Sequence, residues 1–192
     1  MEISTKIEPL DFANAAEWQT WLDDHYDQSD GVWLLIAKKG SGKASIGITE
    51  AGDIAICYGW IDSQRKSYDQ VSYLQRYSPR RPRTPWSRIN VERAEALMAA
   101  GRMQAPGLAE IHAAQADGRW DAAYLPQKEA GIPADLAAAL EQHELARSAF
   151  NRLNKSEQYA VVLSLLKAPT AASRAARLQK AVAKLDADAK TC

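Results

Sequence analysis

The segment GWIDSQRKSYDQVSYLQRYS, residues 59–78, indicates the kind of structure expected in the first part of this 192-residue chain. Its two halves, WIDSQRKS and QVSYLQRYS, are rich in β-branched and aromatic residues and are separated by a few polar ones. Such runs on either side of a short polar segment are typical of paired antiparallel strands. The sequence therefore predicts a β-hairpin over residues 60–78.

Upstream of the hairpin, helical and strand patterns alternate. Trp18 and Trp21 recur at the spacing of one helix face, and GVWLLIAKK at 31–39 is typical of a short apolar strand. A short helix is expected after Thr49, which would cap its start, and Gly59 would end it. Together these elements predict an α+β domain with several helices and a small, mainly antiparallel sheet.

Downstream of the hairpin, SPRRPRTPWSRIN at 78–90 contains three prolines and cannot be regular at its start. Thr84 is a good helix cap, and proline is favoured at the first helical position that Pro85 would occupy. We therefore expect a helix from Pro85 that stops at Gly101, followed by a second helix over residues 106–118.

A segment without clear periodicity, GRWDAAYLPQKEAGIP at 118–133, marks the expected domain boundary. We place an N-terminal α+β domain at 1–125 and a C-terminal helical module at 126–192. Asn154 and Glu157 have the spacing of a capping box at the start of one of its helices. Five apolar residues are expected in the core of the module: Leu163, Leu166, Leu178, Val182 and Leu185.

Composition and charge exclude several classes of protein. Hydrophobic residues make up 46% of the chain, and 24 basic residues balance 24 acidic ones, so no overall field attracts nucleic acid or anionic lipid. The chain has no apolar run of roughly 20 residues and no basic, then apolar, N-terminal leader. We expect a cytoplasmic protein without membrane insertion, in which Cys57 is buried and inert and Cys192 is reactive.

Several motifs occur in order along nearly the whole chain. They are GWIDS at 59–63, YSPRRPRTPWSRIN at 77–90, GRM at 101–103, DGRWDAAY at 117–124, and the C-terminal patterns IPADLAAALEQHELARSAFNRLNKSEQ and TAASRAARLQKAVAKL. By these motifs the chain resembles the bacterial YdeI/OmpD-associated, or OmdA-type, family, some members of which are described as bacteriocin-protection proteins. The resemblance implies a role in stress or bacteriocin resistance, but it implies no particular reaction.

The arginine-rich segment is the one constellation with recognisable chemistry. Arg80, Arg81 and Arg83 precede the expected helix start, where free backbone N–H groups and guanidinium forks favour phosphate or carboxylate. Asp62 could orient an arginine, and Trp60 offers a flat face for stacking. The expected ligand-binding residues are Trp60, Asp62, Arg80, Arg81, Trp86, Ser87 and Asn90.

Two interpretations of this segment remain open. In the first, the arginines pair with acidic residues of the C-terminal helices and both tryptophans are core; in the second, the segment binds a small anionic ligand. Nucleic-acid binding and an enzyme with Asp62 as acid or base are further alternatives. No catalytic motif and no metal-ligand spacing of His25, His112 and His143 is present, so we expect neither cofactor nor metal.

Overall fold

The computed structural model describes residues 8–190, which form eight helices and three strands. Helices and an antiparallel sheet confirm the expected α+β class. No helix within this described part is long and apolar enough to cross a membrane. In chain order the elements are α1 Ala15–His25, β1 Val32–Ala37, α2 Ile48–Cys57, β2 Trp60–Ser67, β3 Ser72–Pro79, α3 Arg88–Ala99, α4 Ala105–Ala116, α5 Ala134–Gln142, α6 Glu144–Arg152, α7 Lys155–Leu166 and α8 Ala171–Lys190.

Two compact units divide the chain. The first contains the described residues up to Thr84 together with Asn90–Trp120. The second contains Pro85–Ile89 and the described residues from Asp121 onward. The sheet and α1 therefore belong to the first unit, and the second unit is helical from α5 to α8.

The sheet of the first unit has the order β1-β3-β2 and is antiparallel throughout. The predicted hairpin is present as β2 and β3, with Trp60 opposite Pro79 and a register irregularity between Asp62 and Arg65. β3 lies in the centre and buries Leu74, whereas β2 forms an exposed edge. Charged side chains on an exposed edge strand discourage pairing with other chains.

An aromatic cluster around Trp18 forms the centre of the first unit. The Trp18 ring lies 5.4 Å from Trp21, 6.2 Å from Trp60 and 5.8 Å from Tyr77, measured between ring centroids. The Trp18 indole N–H donates to the Ala51 carbonyl at 3.1 Å, so its polar atom is satisfied although the side chain is fully buried. Rings from α1 and from both strands of the hairpin thus share one core.

The contact between α2 and α4 requires a glycine. A Cβ atom on Gly107 would lie 2.1 Å from the Cys57 carbonyl oxygen, a distance that no side chain tolerates. The same carbonyl accepts the backbone N–H of Gln104 at 3.1 Å, so α4 begins against the end of α2. Gly59 has φ 74°, in agreement with its expected role in ending α2, but α2 starts at Ile48 with Gly47 as cap instead of Thr49.

The second unit is stabilised by a capping box and an apolar core. The Asn154 side chain accepts the backbone N–H of Glu157 at 3.0 Å, and the Glu157 carboxylate accepts the Asn154 backbone N–H at 2.8 Å, which confirms the predicted capping box. Val182 and Leu185 are core residues as expected, while Leu166 and Leu178 are half-buried against the core.

The expected core position of Leu163 is wrong. Val162 and Leu165 of α7 are the buried residues, because the apolar face of this helix is rotated by one residue from the predicted one. The run YAVVLSLL has apolar residues at almost every position, so its periodicity does not select a face. Contacts with the neighbouring helices determine which face of α7 is buried.

We expect Leu165→Ala to lower the free energy of unfolding by about 2–5 kcal/mol, because it removes a fully buried side chain and leaves a cavity. Leu163→Ala should cost clearly less, because Leu163 is only half-buried. Urea denaturation followed by far-UV circular dichroism measures both. Equal costs, or a larger cost for Leu163→Ala, would contradict the observed orientation of α7.

Candidate functional site

The arginine-rich segment leaves the sheet beside the start of β2. The Arg80 backbone N–H donates to the Gly59 carbonyl at 3.0 Å, which extends the contact between the two hairpin strands by one residue. Arg80 is only 7% exposed and belongs to the interior of the protein. Arg80 therefore anchors the segment and does not present its guanidinium to bulk water.

Residues 81–84 form a tight turn that carries two exposed arginines. The Thr84 backbone N–H donates to the Arg81 carbonyl at 3.0 Å, with Pro82 and Arg83 at the two corners. Arg83 has φ 64°, a conformation that a type II turn requires at its third position and that is usually filled by glycine or asparagine. Arginine at that position costs of order 1–3 kcal/mol in backbone strain.

The next helix starts later than predicted. α3 begins at Arg88, so Thr84 does not cap it and Pro85 is not its first residue. Ser87 instead forms an isolated parallel bridge with Tyr124, and the Arg88 backbone N–H donates to the Tyr124 carbonyl at 2.9 Å. The Tyr124 carbonyl therefore occupies the Arg88 N–H at the start of the helix. Free N–H groups at a helix start are the groups expected from the sequence to bind an anion. The expected helix N-terminus at Trp86 and Ser87 is therefore wrong.

Arg119 holds the end of the turn in place. Its guanidinium donates to the Thr84 carbonyl at 3.0 Å and to the Glu110 carboxylate at 2.8 Å. Its Nε also contacts both carboxylate oxygens of Asp117, at 2.7 and 2.9 Å. The Arg119 hydrogen bonds lower the pKa of Asp117, and the positive charge of Arg83 adds to that effect.

Arg81 and Arg83 are both exposed residues. Within residues 8–190, neither forms an ion pair with a carboxylate. The neighbouring Arg119 is already occupied by Glu110 and Asp117. The turn thus carries two exposed positive charges. The carboxylates of Glu110 and Asp117 form their ion pairs with Arg119 and not with these two arginines.

The remaining predicted site residues divide between interior and surface. Trp60 and Trp86 are each only 1% exposed, and the Trp60 indole N–H donates to the Tyr26 carbonyl at 3.1 Å. Neither ring offers a free face in this structure. Asp62 is exposed on β2 opposite Tyr77, and its charge adds to the burial that raises the pKa of the Tyr77 hydroxyl.

Four of the predicted site residues lie near one another in the first unit. Trp60, Asp62 and Arg80 lie at the open end of the hairpin, where β2 begins and β3 ends, and Arg81 follows directly. Asn90 lies in α3 and is also assigned to the first unit. Trp86 and Ser87 belong to the second unit.

The sequence does not reveal Arg119 and Glu110 as part of this region. The motif DGRW at 117–120 carries a family resemblance, but nothing local in it indicates a contact 35 residues away at Thr84. The one local signal is Asp117, because a short Asp side chain can accept a backbone N–H two residues further on, as it does from Arg119 at 3.2 Å.

Two matches to known families bear on this fold. Residues 10–110 match the family model described as a domain of unknown function, DUF8412, which is more than half of the chain. The chain belongs to this family. Residues 129–188 match the OmdA model, described as bacteriocin-protection, YdeI or OmpD-associated, which confirms the resemblance inferred from the sequence. No curated protein and no solved structure gives a significant match.

In this DUF8412 protein, the arginine turn lies inside the DUF8412 match, as do β2 and β3. Helices α5 to α8 lie in or beside the OmdA match. The two family matches therefore cover different helices and strands.

Cys57 shows no sign of a catalytic thiol. Burial raises the pKa of its thiol, although the positive charge of Arg102 opposes this, a cation that the sequence had not indicated. The cavity beside it, lined also by Gln104, has a volume of about 20 Å³. That is room for a single water molecule and no larger ligand.

We expect Cys57 to react slowly with a thiol reagent such as 5,5′-dithiobis(2-nitrobenzoate) in the native protein and fast after denaturation, because only the exposed thiolate reacts. Cys192, which we expect to react, lies outside the described residues. A Cys192→Ser variant isolates the signal of Cys57. Fast modification of that variant under native conditions would contradict the burial of Cys57.

Proposed function

We propose that this protein binds a small anionic ligand, a phosphate or carboxylate compound, through the guanidinium groups of Arg81 and Arg83. The observation that carries the proposal is Arg83 at φ 64° in an exposed turn. Strained backbone conformations concentrate at functional sites, where the surrounding structure holds a side chain in a useful position. Here the surrounding structure consists of three prolines and the Arg119 contact.

Rigidity is what makes the turn suitable for binding. Pro79, Pro82 and Pro85 restrict the backbone, and the Arg81–Thr84 hydrogen bond closes the turn. A ligand therefore orders side chains only and not the loop, which lowers the free-energy cost of association. A guanidinium fork matches the planar, bidentate geometry of carboxylate and phosphate oxygens, and the turn carries two exposed arginines, two residues apart in the sequence.

The proposed site is narrower than the one expected from the sequence. It keeps Arg81 and adds Arg83, and Asp62 stays a candidate for orienting an arginine from the neighbouring strand. The rings of Trp60 and Trp86 have no role in it, since both are buried. Arg80 contributes by anchoring the segment.

The family description suggests the cellular context of such a site. The OmdA model is described by bacteriocin protection and by association with OmpD. We extend a protective role in stress or bacteriocin resistance to this chain as part of the proposal. In that role the ligand would be a signal or a toxic compound with an anionic group.

Arg81→Lys should weaken the binding of pyrophosphate, used as the probe, because lysine keeps the charge but loses the bidentate fork. A loss of about 1 kcal/mol corresponds to a roughly fivefold higher Kd. Isothermal titration calorimetry of the wild type and the variant at one fixed ionic strength measures this.

Arg147→Lys is the matched control, because Arg147 is an exposed arginine on α6 of the second unit. Its Kd should equal that of the wild type. If pyrophosphate, citrate and nucleoside monophosphates all fail to bind the wild type at millimolar concentration, the arginine turn has a structural role and the proposal is wrong.

A further inference from the structure

A long groove runs along the surface between α7 and α8 in the second unit. It has a volume of about 640 Å³ and is lined only by side chains of the two helices and of Leu153, which precedes them. On α8 the lining extends from Arg177 to Asp188, which corresponds to about three helical turns, or roughly 16 Å. None of the residues that line the groove belongs to the arginine turn.

The floor of the groove is apolar. Leu153, Val161 and Leu185 form it, and all three also pack against or belong to the core of the second unit. The walls carry the small side chains Ala160 and Ala181. Small residues at a helix surface let another helix approach closely, so the groove has the shape to accept one.

Basic side chains of α8 form one rim. Arg177, Lys180 and Lys184 recur at i, i+3 and i+7, which places them on one face of the helix. Arg177 donates to the Ser164 carbonyl of α7 at 2.7 Å and so bridges the groove. Lys180 and Lys184 are exposed, and in the described part of the chain neither forms an ion pair.

Two carboxylates, Glu157 and Asp188, also line the groove. Glu157 accepts the Asn154 backbone N–H in the capping box, and Asp188 lies one turn beyond Lys184, toward the end of α8. Within residues 8–190 neither carboxylate forms an ion pair with Lys180 or Lys184. The middle of the groove therefore combines an apolar floor with two available positive charges.

We infer that this groove binds an acidic amphipathic helix of a partner protein. Apolar side chains spaced at i, i+3 or i+4, and i+7 of that helix would cover the floor, and an adjacent row of Asp or Glu would face Lys180 and Lys184. This is the helix-in-groove mode of peptide recognition, with charge complementarity fixing the orientation. A segment of three turns matches the length of the groove.

Other polyanions fit the groove less well. Among the described residues that line it, none is aromatic, so it has no platform on which nucleic-acid bases could stack. Its concave, apolar floor would stay exposed under a phosphate backbone or a flat membrane surface. A helix with an apolar face flanked by acidic side chains would cover the apolar floor and pair with the basic rim.

Fluorescence anisotropy on the full chain tests this inference. The probe is a labelled peptide of about four helical turns with leucines at i, i+3 and i+7 and glutamates on one flank. We expect saturable binding, and Lys180→Glu/Lys184→Glu should raise Kd by at least about tenfold, because like charges then face each other across the rim. Ala160→Trp should also weaken binding, because it fills the groove without changing the charge.

The matched control is Arg147→Glu/Lys155→Glu, which reverses two exposed charges that do not line the groove. It should bind the peptide like the wild type, and Arg81→Lys should do so too, which separates this test from that of the anion site. The inference is overturned if the wild type does not bind the peptide, or if a scrambled peptide of equal composition binds equally well. Loss of peptide binding in the control double variant would also contradict it. Binding of single-stranded DNA or anionic vesicles in place of the peptide would assign the rim to that polyanion instead.

Discussion

The guanidinium of Arg119 is the contact on which the candidate site depends. It joins the Thr84 carbonyl, the Glu110 carboxylate and the Asp117 carboxylate, and the side chain is only 13% exposed. A largely buried cation with three partners has little freedom to move, because each lost partner would leave a desolvated charge. The end of the arginine turn is thereby fixed to α4. Without this contact the strained φ of Arg83 would have less to maintain it.

Arg119 can perform this role because the elements of the first unit are packed closely against one another. The Trp18 cluster joins α1 to the hairpin, and Gly107 allows α4 to begin directly against the end of α2. The start of the turn is defined by the hairpin through the Arg80 and Gly59 backbones, and its end by α4 through Arg119. Both attachments are made by atoms that are distant in sequence. The arrangement of Arg81 and Arg83 is thus a consequence of tertiary packing.

The sequence was informative wherever a local rule determines the structure. The hairpin over 60–78 follows from strand composition, and the Asn154 capping box follows from the spacing of two residues. The sequence predicts the helix after the arginine segment too early, because Thr84 and Pro85 satisfy the local rules for a helix start. The observed start at Arg88 involves a distant partner, the Tyr124 carbonyl. The exposure of Arg81 and the burial of Trp60 and Trp86 depend on long-range packing, which no local pattern contains.

We propose that the turn of Arg81 and Arg83 binds an anion. A titration with pyrophosphate, followed by nuclear magnetic resonance through the ¹⁵N–¹H signals of the backbone amides and of the arginine Nε groups, tests this binding residue by residue. We expect saturable shifts of the Arg81, Arg83 and Thr84 signals, with smaller changes at Arg119, whose guanidinium is already occupied. Shifts confined to other parts of the chain, with these signals unchanged at millimolar pyrophosphate, would show that the turn is not the binding site.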